Sequence, residues 1–238
     1  MKKICLVMAV VLLFGLLTGC NQQPQDSGEG SHGVTLAEGE TVQLDDGRII
    51  FSDGYVYSSD QKILYGYSEL EENRVEEDHD FVVPDSVEVI ESEAFSNLDT
   101  LTMGRNVQQL GDRALADFHC TQLIWPEDGK LQTIGEGAFA DMSGMDSITL
   151  PDTVTALGED AFAGSFFTTI DLGSGIREVK SGTFRDCKNL TTVTFSADAT
   201  VAADAFTGCD NLTTILLRDA DGNVTEHSLS ILEELTEA

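Results

Sequence analysis

The sequence predicts a β-rich α/β solenoid, a stack of about six coils of roughly 20–25 residues with an N-terminal β-meander cap. Three observations carry this. An Ala-Phe pair keeps returning; with its aromatic as position zero, the series reads Phe95, Leu115, Phe139, Phe162, Phe184 and Phe206, at intervals of 20, 24, 23, 22 and 22 residues. Eight and five residues earlier stand apolar pairs: Val87 and Ile90, Val107 and Leu110, Leu131 and Ile134, Val154 and Leu157, Ile176 and Val179. The sixth unit keeps Val201 and places Asp198 in the earlier slot. After each zero comes a spaced apolar triplet, as in Leu98-x-x-Leu101-x-Met103, Met145-x-x-Ile148-x-Leu150 and Leu212-x-x-Ile215-x-Leu217. A unit with one apolar edge cannot bury it alone, so neighbouring units stack and share a continuous core.

The elements follow in chain order. Residues 1–19 open with Lys2 and Lys3 and continue through the apolar run Ile4 to Leu17, shorter than a membrane span, so they read as a signal peptide that is removed. Leu17-Thr18-Gly19-Cys20 resembles the lipobox of bacterial lipoproteins, which implies cleavage before Cys20 and lipid attachment to its thiol. Ordinary secretory cleavage with an unused Cys20 is the alternative. Residues 20–33 are polar and rich in Gly, Ser and Gln, a flexible tether whose ends average roughly 20 Å apart. Residues 34–80 hold short β-prone runs broken at Asp46-Gly47, Asp53-Gly54 and Ser58 to Gln61, a meander that caps the stack, followed by an acidic loop.

Residues 81–217 are the solenoid itself. Pro84, Pro126 and Pro151 follow strands, where the chain must turn and a missing N–H does least harm. Gly111, Gly135 and Gly158, four before zero, suit a turn with positive φ, and the acidic residues after them suit a short helical turn carrying the Phe. Residues 218–238 contain Asp221-Gly222, expected as a hairpin turn closing the stack, and a tail able to form a short helix. The run from Arg218 to Val224 lacks the full donor spacing of an EF-hand loop.

The triplet is the Leu-x-x-Leu-x-Leu strand of a leucine-rich repeat. The unit LPDTVTALGEDAF, and the approach ILYGYS…FVVPDSVEVI, resemble the BspA-like subfamily of bacterial leucine-rich-repeat surface proteins. The resemblance spans Lys62 to about Leu217, with Leu115 in place of Phe and Thr183 in place of Ala as departures. It implies a secreted or tethered surface protein, several of whose relatives act in adhesion.

The chain's 238 residues carry a formal charge of −29, from 42 acidic and 13 basic residues, which disfavours nucleic acid and anionic lipid surfaces as partners. Chemistry is sparse. His32, His79, His119 and His227 share no repeat slot, so neither a metal site nor a catalytic pair is expected, and no cofactor is implied. Cys120 takes a core-facing Leu slot beside His119. Cys187 and Cys209 share the slot three after zero on adjacent coils, where buried free thiols are favoured over a disulfide. The acidic run from Glu69 to Asp80 reads as a solvated loop rather than a cation site.

Threonines recur on the outward strand positions: Thr102, Thr149, Thr169, Thr192, Thr194 and Thr214, with Thr121, Thr168, Thr191 and Thr213 at the strand starts. Thr is a good strand residue in any case, yet the open strand face is where a solenoid of this kind meets extended partners. The expected role is therefore a non-enzymatic, extracytoplasmic binding module, anchored to the membrane through Cys20. Thr149, Thr169, Thr192, Thr194 and Thr214 form its candidate face for a protein or glycan ligand at the cell surface. An envelope spacer, or an accessory subunit of a surface enzyme complex, is the alternative. An ice- or mineral-binding ladder is disfavoured by its breaks at Gln122, Ser147 and Asp171.

Overall fold

The structure is a computed structural model and describes residues 41–52, 54–67, 80–95 and 97–236. The expected signal peptide, Cys20, the tether and residues 68–79 of the acidic loop lie outside the described residues.

Four short strands, β1 (Thr41–Gln43), β2 (Ile49–Phe51), β3 (Tyr55–Tyr57) and β4 (Ile63–Tyr67), form an antiparallel meander. Left-handed residues make its turns, Gly47 at φ 88°, Gly54 at φ 80° and Gln61 at φ 60°. The chain then alternates between two kinds of strand: β5 (Asp80–Val82), β6 (Val89–Ile90), β7 (Leu98–Thr102), β8 (Gln109–Leu110), β9 (Cys120–Ile124), β10 (Thr133–Ile134), β11 (Ser147–Thr149), β12 (Ala156–Leu157), β13 (Thr169–Asp171), β14 (Glu178–Val179), β15 (Thr192–Ser196), β16 (Thr200–Val201) and β17 (Thr214–Arg218). β18 (Val224–His227) returns antiparallel on β17, and α1 (Ile231–Thr236) follows.

From β6 to β16 the even-numbered strands run parallel along one side of the coil, each ending on the buried residue five before zero. β4 pairs with β6, so the cap meander and this ladder make one eight-stranded sheet, β1-β2-β3-β4-β6-β8-β10-β12, with β14 and β16 paired beyond it. From β5 to β17 the odd-numbered strands line the opposite side in two sheets, β5-β7-β9 and β11-β13-β15-β17, the second extended by β18. Between β9 and β11 only an isolated bridge joins His119 to Ser143. The apolar triplets would align Cys120 with Met145, but the Cys120 N–H donates to Ser143 O at 3.0 Å, one residue out of step with that alignment. A one-residue slip turns side chains to the wrong face, and the ladder stops there.

The third side differs from the expected helical turn. Around the four central zeros, Leu115 to Phe184, the chain runs through successive turns with left-handed residues two before and two after: Gly137 (φ 58°) and Asp141 (φ 55°) flank Phe139, and Asp160 (φ 53°) and Gly164 (φ 68°) flank Phe162. This alternation splits the N–H groups. Those of Gly137, Phe139 and Asp141 donate to Glu159, Ala161 and Ala163 carbonyls on the next coil, at 3.0, 2.7 and 2.8 Å. Those of Ala138 and Ala140 turn back to Gly135 and Gly137. A helix would direct its N–H groups along its own axis and leave none for the neighbouring coil.

Gly111, Gly135 and Gly158 are correspondingly not left-handed. They are glycine because the coils approach too closely for a side chain. A Cβ on Gly135 would stand 2.6 Å from Asp112 N, and one on Gly158 would collide with Glu136 N. Left-handed Gly164 and Gly182 answer a further constraint: the carboxylates of Asp141 and Asp160 on the preceding coil occupy the space their Cβ atoms would need.

The core is continuous from the cap to the C-terminal turns. Phe139, Phe162, Phe184 and Phe206 stack with ring centroids 4.9, 5.7 and 4.9 Å apart and planes within 11°. Leu115 interrupts this file, and Phe118, fully buried, turns into the core and meets Phe95 at 5.9 Å. Tyr55, Phe81 and Phe95 close the N-terminal end, with Tyr55 and Phe81 centroids 4.1 Å apart. At the other end Ile231, Leu232 and Leu235 pack on the core. The hairpin turn expected at Asp221-Gly222 is present: Gly222 is left-handed, and the Asp219 carboxylate accepts from the N–H groups of Asp221 and Asn223 at 2.9 and 2.8 Å.

Candidate functional site

The outward face of the five-stranded sheet is ordered in rows, because parallel strands without a bulge bring equivalent side chains side by side. Ser147, Thr169, Thr192 and Thr214 are in register across β11, β13, β15 and β17. The next row outward is Thr149, Asp171, Thr194 and Leu216, and Glu226 of β18 extends it. Thr149 is exposed, and Thr169, Thr192 and Thr214 are half-buried.

Thr194 departs from the expected face: it is 5% exposed, as is Ser196. Arg218 on β17 sends its guanidinium over β15 to Asp171 on β13, donating from Nη1 to Oδ1 at 3.0 Å and from Nη2 to Oδ2 at 2.7 Å. The side chain that spans this gap lies over Thr194 and Ser196, so the second row is closed at its centre. Asp171 Oδ1 also accepts from the Gly173 N–H at 2.9 Å. The Asp171 carboxylate beside it raises the Arg218 pKa further.

Beyond this ion pair, at the C-terminal ends of the strands, lies a groove of about 710 Å³. Thr149, Asp152, Ser174, Arg177, Asp198 and the β17–β18 turn line it. The Asp152 carboxylate accepts from the Ser174 hydroxyl and N–H, both at 2.7 Å, and this hydrogen bonding holds it below the usual carboxylate range. Arg177 donates to the main-chain carbonyls of Ser174 and Ile176.

The threonines at the strand starts have a different task. Thr121 Oγ1 donates to Asp99 O at 2.8 Å, Thr168 to Asp146 O at 2.7 Å, Thr191 to Thr168 O at 3.0 Å and Thr213 to Thr191 O at 3.3 Å. Each hydroxyl ties its coil to the preceding one, so these positions belong to the stack. Thr102 lies on the separate sheet β5-β7-β9, in register with the exposed apolar residues Val82 and Ile124, so the threonine face is not continuous from end to end. Sequence reading missed the Arg218–Asp171 pair; neither residue occupies a recurring charged slot.

The other candidates separate. Cys120 is buried, its thiol donates to Gln122 O at 2.8 Å, and burial pushes its pKa up, the opposite of an activated nucleophile. His119 Nδ1 lies 3.1 Å from Ser143 Oγ, and His227 Nε2 lies 2.9 Å from Thr225 Oγ1. Among the described residues no three His, Cys, Asp or Glu side chains converge as a metal site would require. Glu69 to His79 and Cys20 lie outside the described residues.

Comparison with solved structures identifies the same coil. The pneumococcal vaccine antigen PcpA is 21% identical, with a TM-score of 0.57 over 68% of this chain and 40% of its own. The leucine-rich-repeat protein TpLRR of T. pallidum is 23% identical, with a TM-score of 0.54 over 68% of this chain and 77% of its own. The matched region thus spans well under half of the PcpA chain. A comparison with curated proteins finds no match. The model of the BspA type leucine rich repeat region, in 6 copies, matches residues 77–130 and 120–233. With its ring file, its apolar strand triplets and this match over most of its length, the chain belongs to the BspA-type leucine-rich-repeat family.

Proposed function

We propose that this chain is an extracytoplasmic binding module of the adhesion type, tethered to the bacterial membrane by lipid on Cys20, which captures a protein or glycan partner and has no catalysis of its own. The observation that carries the reading is the row Thr169, Thr192 and Thr214, aligned on three neighbouring parallel strands and half-exposed on their outward face. Three hydroxyls about 10 Å end to end suit an extended partner lying across the strands. The basic and apolar N-terminal stretch ending at Cys20, and membership of a family whose resemblance implies surface proteins, support the location.

The test begins with capture from host matrix proteins and from bacterial envelope fractions. Thr169→Lys, Thr192→Lys and Thr214→Lys together abolish binding to whatever is captured and leave the fold intact by circular dichroism. A control triple, Glu159→Lys, Asp186→Asn and Asp210→Lys, on the turns, leaves it nearly unchanged. Parental binding by the threonine triple defeats the strand-face reading, and loss in the control alone moves the site to the turns.

A further inference from the structure

Cys187 and Cys209 occupy the slot three residues after the ring on adjacent coils, following Met142 and Ser165 in the same file. Contacts on both sides fix the spacing of these two coils. Ahead of the cysteines, the Phe184 and Phe206 rings stack at 4.9 Å, and the Asp186 N–H donates to Thr207 O at 2.8 Å. After them, the Thr213 N–H donates to Thr191 O at 3.0 Å. Equivalent atoms of the two coils therefore stand about 5 Å apart, within the roughly 4.4–6.8 Å that a disulfide allows between Cα atoms.

The thiols also point in a common direction. Cys187 Sγ donates to Phe162 O at 3.0 Å, and Cys209 Sγ donates to Phe184 O at 2.9 Å. Each sulfur leans towards the preceding coil, so Cys209 Sγ leans towards the coil that carries Cys187. Closing the link takes Cys187 Sγ away from Phe162 O and Ser165 and draws the two Cβ atoms from the coil spacing of about 5 Å to within the roughly 3.5–4.5 Å of a disulfide, a local approach of about half an ångström or more. Cys120 has no such neighbour, since Leu98 and Met145 take its slot on the flanking coils.

The geometry points to a cross-link site: Cys187 and Cys209 join as a disulfide that staples the last two coils when the chain meets a disulfide-bearing oxidant. Access sets the order of events. Cys187 is fully buried and Cys209 is partly exposed. The Cys209 thiolate attacks the oxidant's S–S bond, forming a mixed disulfide and expelling one oxidant thiolate, which takes up a proton. The Cys187 thiolate then attacks Cys209 Sγ and expels the second. The two protons and two electrons lost by the cysteines are thus found on the two oxidant thiols. The neighbouring Cys187 thiol lowers the Cys209 pKa, while the Cys209 thiol and burial raise that of Cys187, which matches Cys209 as the first attacker. The closed link spans 22 residues and ties β17, β18 and α1 to the coil before them.

The experiment treats the full folded chain with glutathione disulfide, alkylates it under denaturing conditions and maps its peptides by mass spectrometry. The expected product links the Cys187 and Cys209 peptides, two hydrogens lighter than their sum, with Cys120 alkylated. The oxidised parent also melts several degrees above its reduced form, a difference that Cys209→Ser abolishes. Alkylation of both cysteines, or a glutathione adduct persisting on Cys209, overturns the proposal. So does a linked product that leaves the melting temperature unchanged, because it denies the staple.

Discussion

Arg218 holds both carboxylate oxygens of Asp171 across an intervening strand, at 3.0 and 2.7 Å, with about a fifth of each side chain exposed. Two parallel N–H to oxygen bonds fix the guanidinium plane, and its stem roofs Thr194. Arg218→Ala leaves a partly buried carboxylate without its partner and is expected to cost about 1.5–3 kcal/mol in urea unfolding. In a double-mutant cycle with Asp171→Asn, the two losses are strongly non-additive. Additive losses show that the pair is not coupled.

Phe162 lies in the middle of the ring file, fully buried between Phe139 and Phe184. Phe162→Ala is expected to destabilise by about 3–5 kcal/mol. Phe162→Leu costs less, since Leu115 already fills the same slot one coil nearer the cap than Phe139. Chemical denaturation of both variants checks the order, and an unchanged midpoint for Phe162→Ala places that ring outside the core.

Two glycines separate stacking from backbone conformation. Gly158 has ordinary φ, but its Cβ position collides with the backbone at Gly135 and Glu136, whereas Gly222 is left-handed with nothing within 4 Å. Gly222→Ala is expected to cost about 1 kcal/mol from φ alone. Gly158→Ala forces adjacent coils apart and costs more, roughly 2–4 kcal/mol. Thermal melts that rank the two in the reverse order refute close coil approach at Gly158.

Anchoring is tested at Cys20. Cys20→Ser removes the thiol on which the proposed lipid is built and should abolish incorporation of a fatty-acid analogue, leaving an uncleaved or mis-sorted precursor. Equal labelling of parent and variant overturns the lipoprotein reading.

The repeat register was legible in the chain because it is periodic. One apolar residue misplaced in Val154, Leu157 or Phe162 would expose it or bury a charge, so the spacing alone specifies which side chains face inward. The hairpin turns at Gly47 and Gly222 were legible for a similar reason, as few residues other than glycine accept their φ. The glycines before the rings were legible in position but not in cause. Close approach between coils leaves the same residue in the sequence as a left-handed turn does.

By itself, then, the sequence determined the coil, its ring file and its strand triplets, which rest on a local pattern repeated about every 22 residues, and the hairpin turns of both caps, which rest on Asp-Gly pairs. Tertiary structure alone decided the rest. The turns around each ring take their conformation from hydrogen bonds to the next coil, as Phe139 N–H to Ala161 O illustrates. The strand face is divided at β9 and β11 because backbone and side-chain registers disagree there. Thr194 is closed off by a contact between residues 47 apart, two coils distant, and a pairing at that separation leaves no trace in a repeat that constrains each coil only against its neighbours.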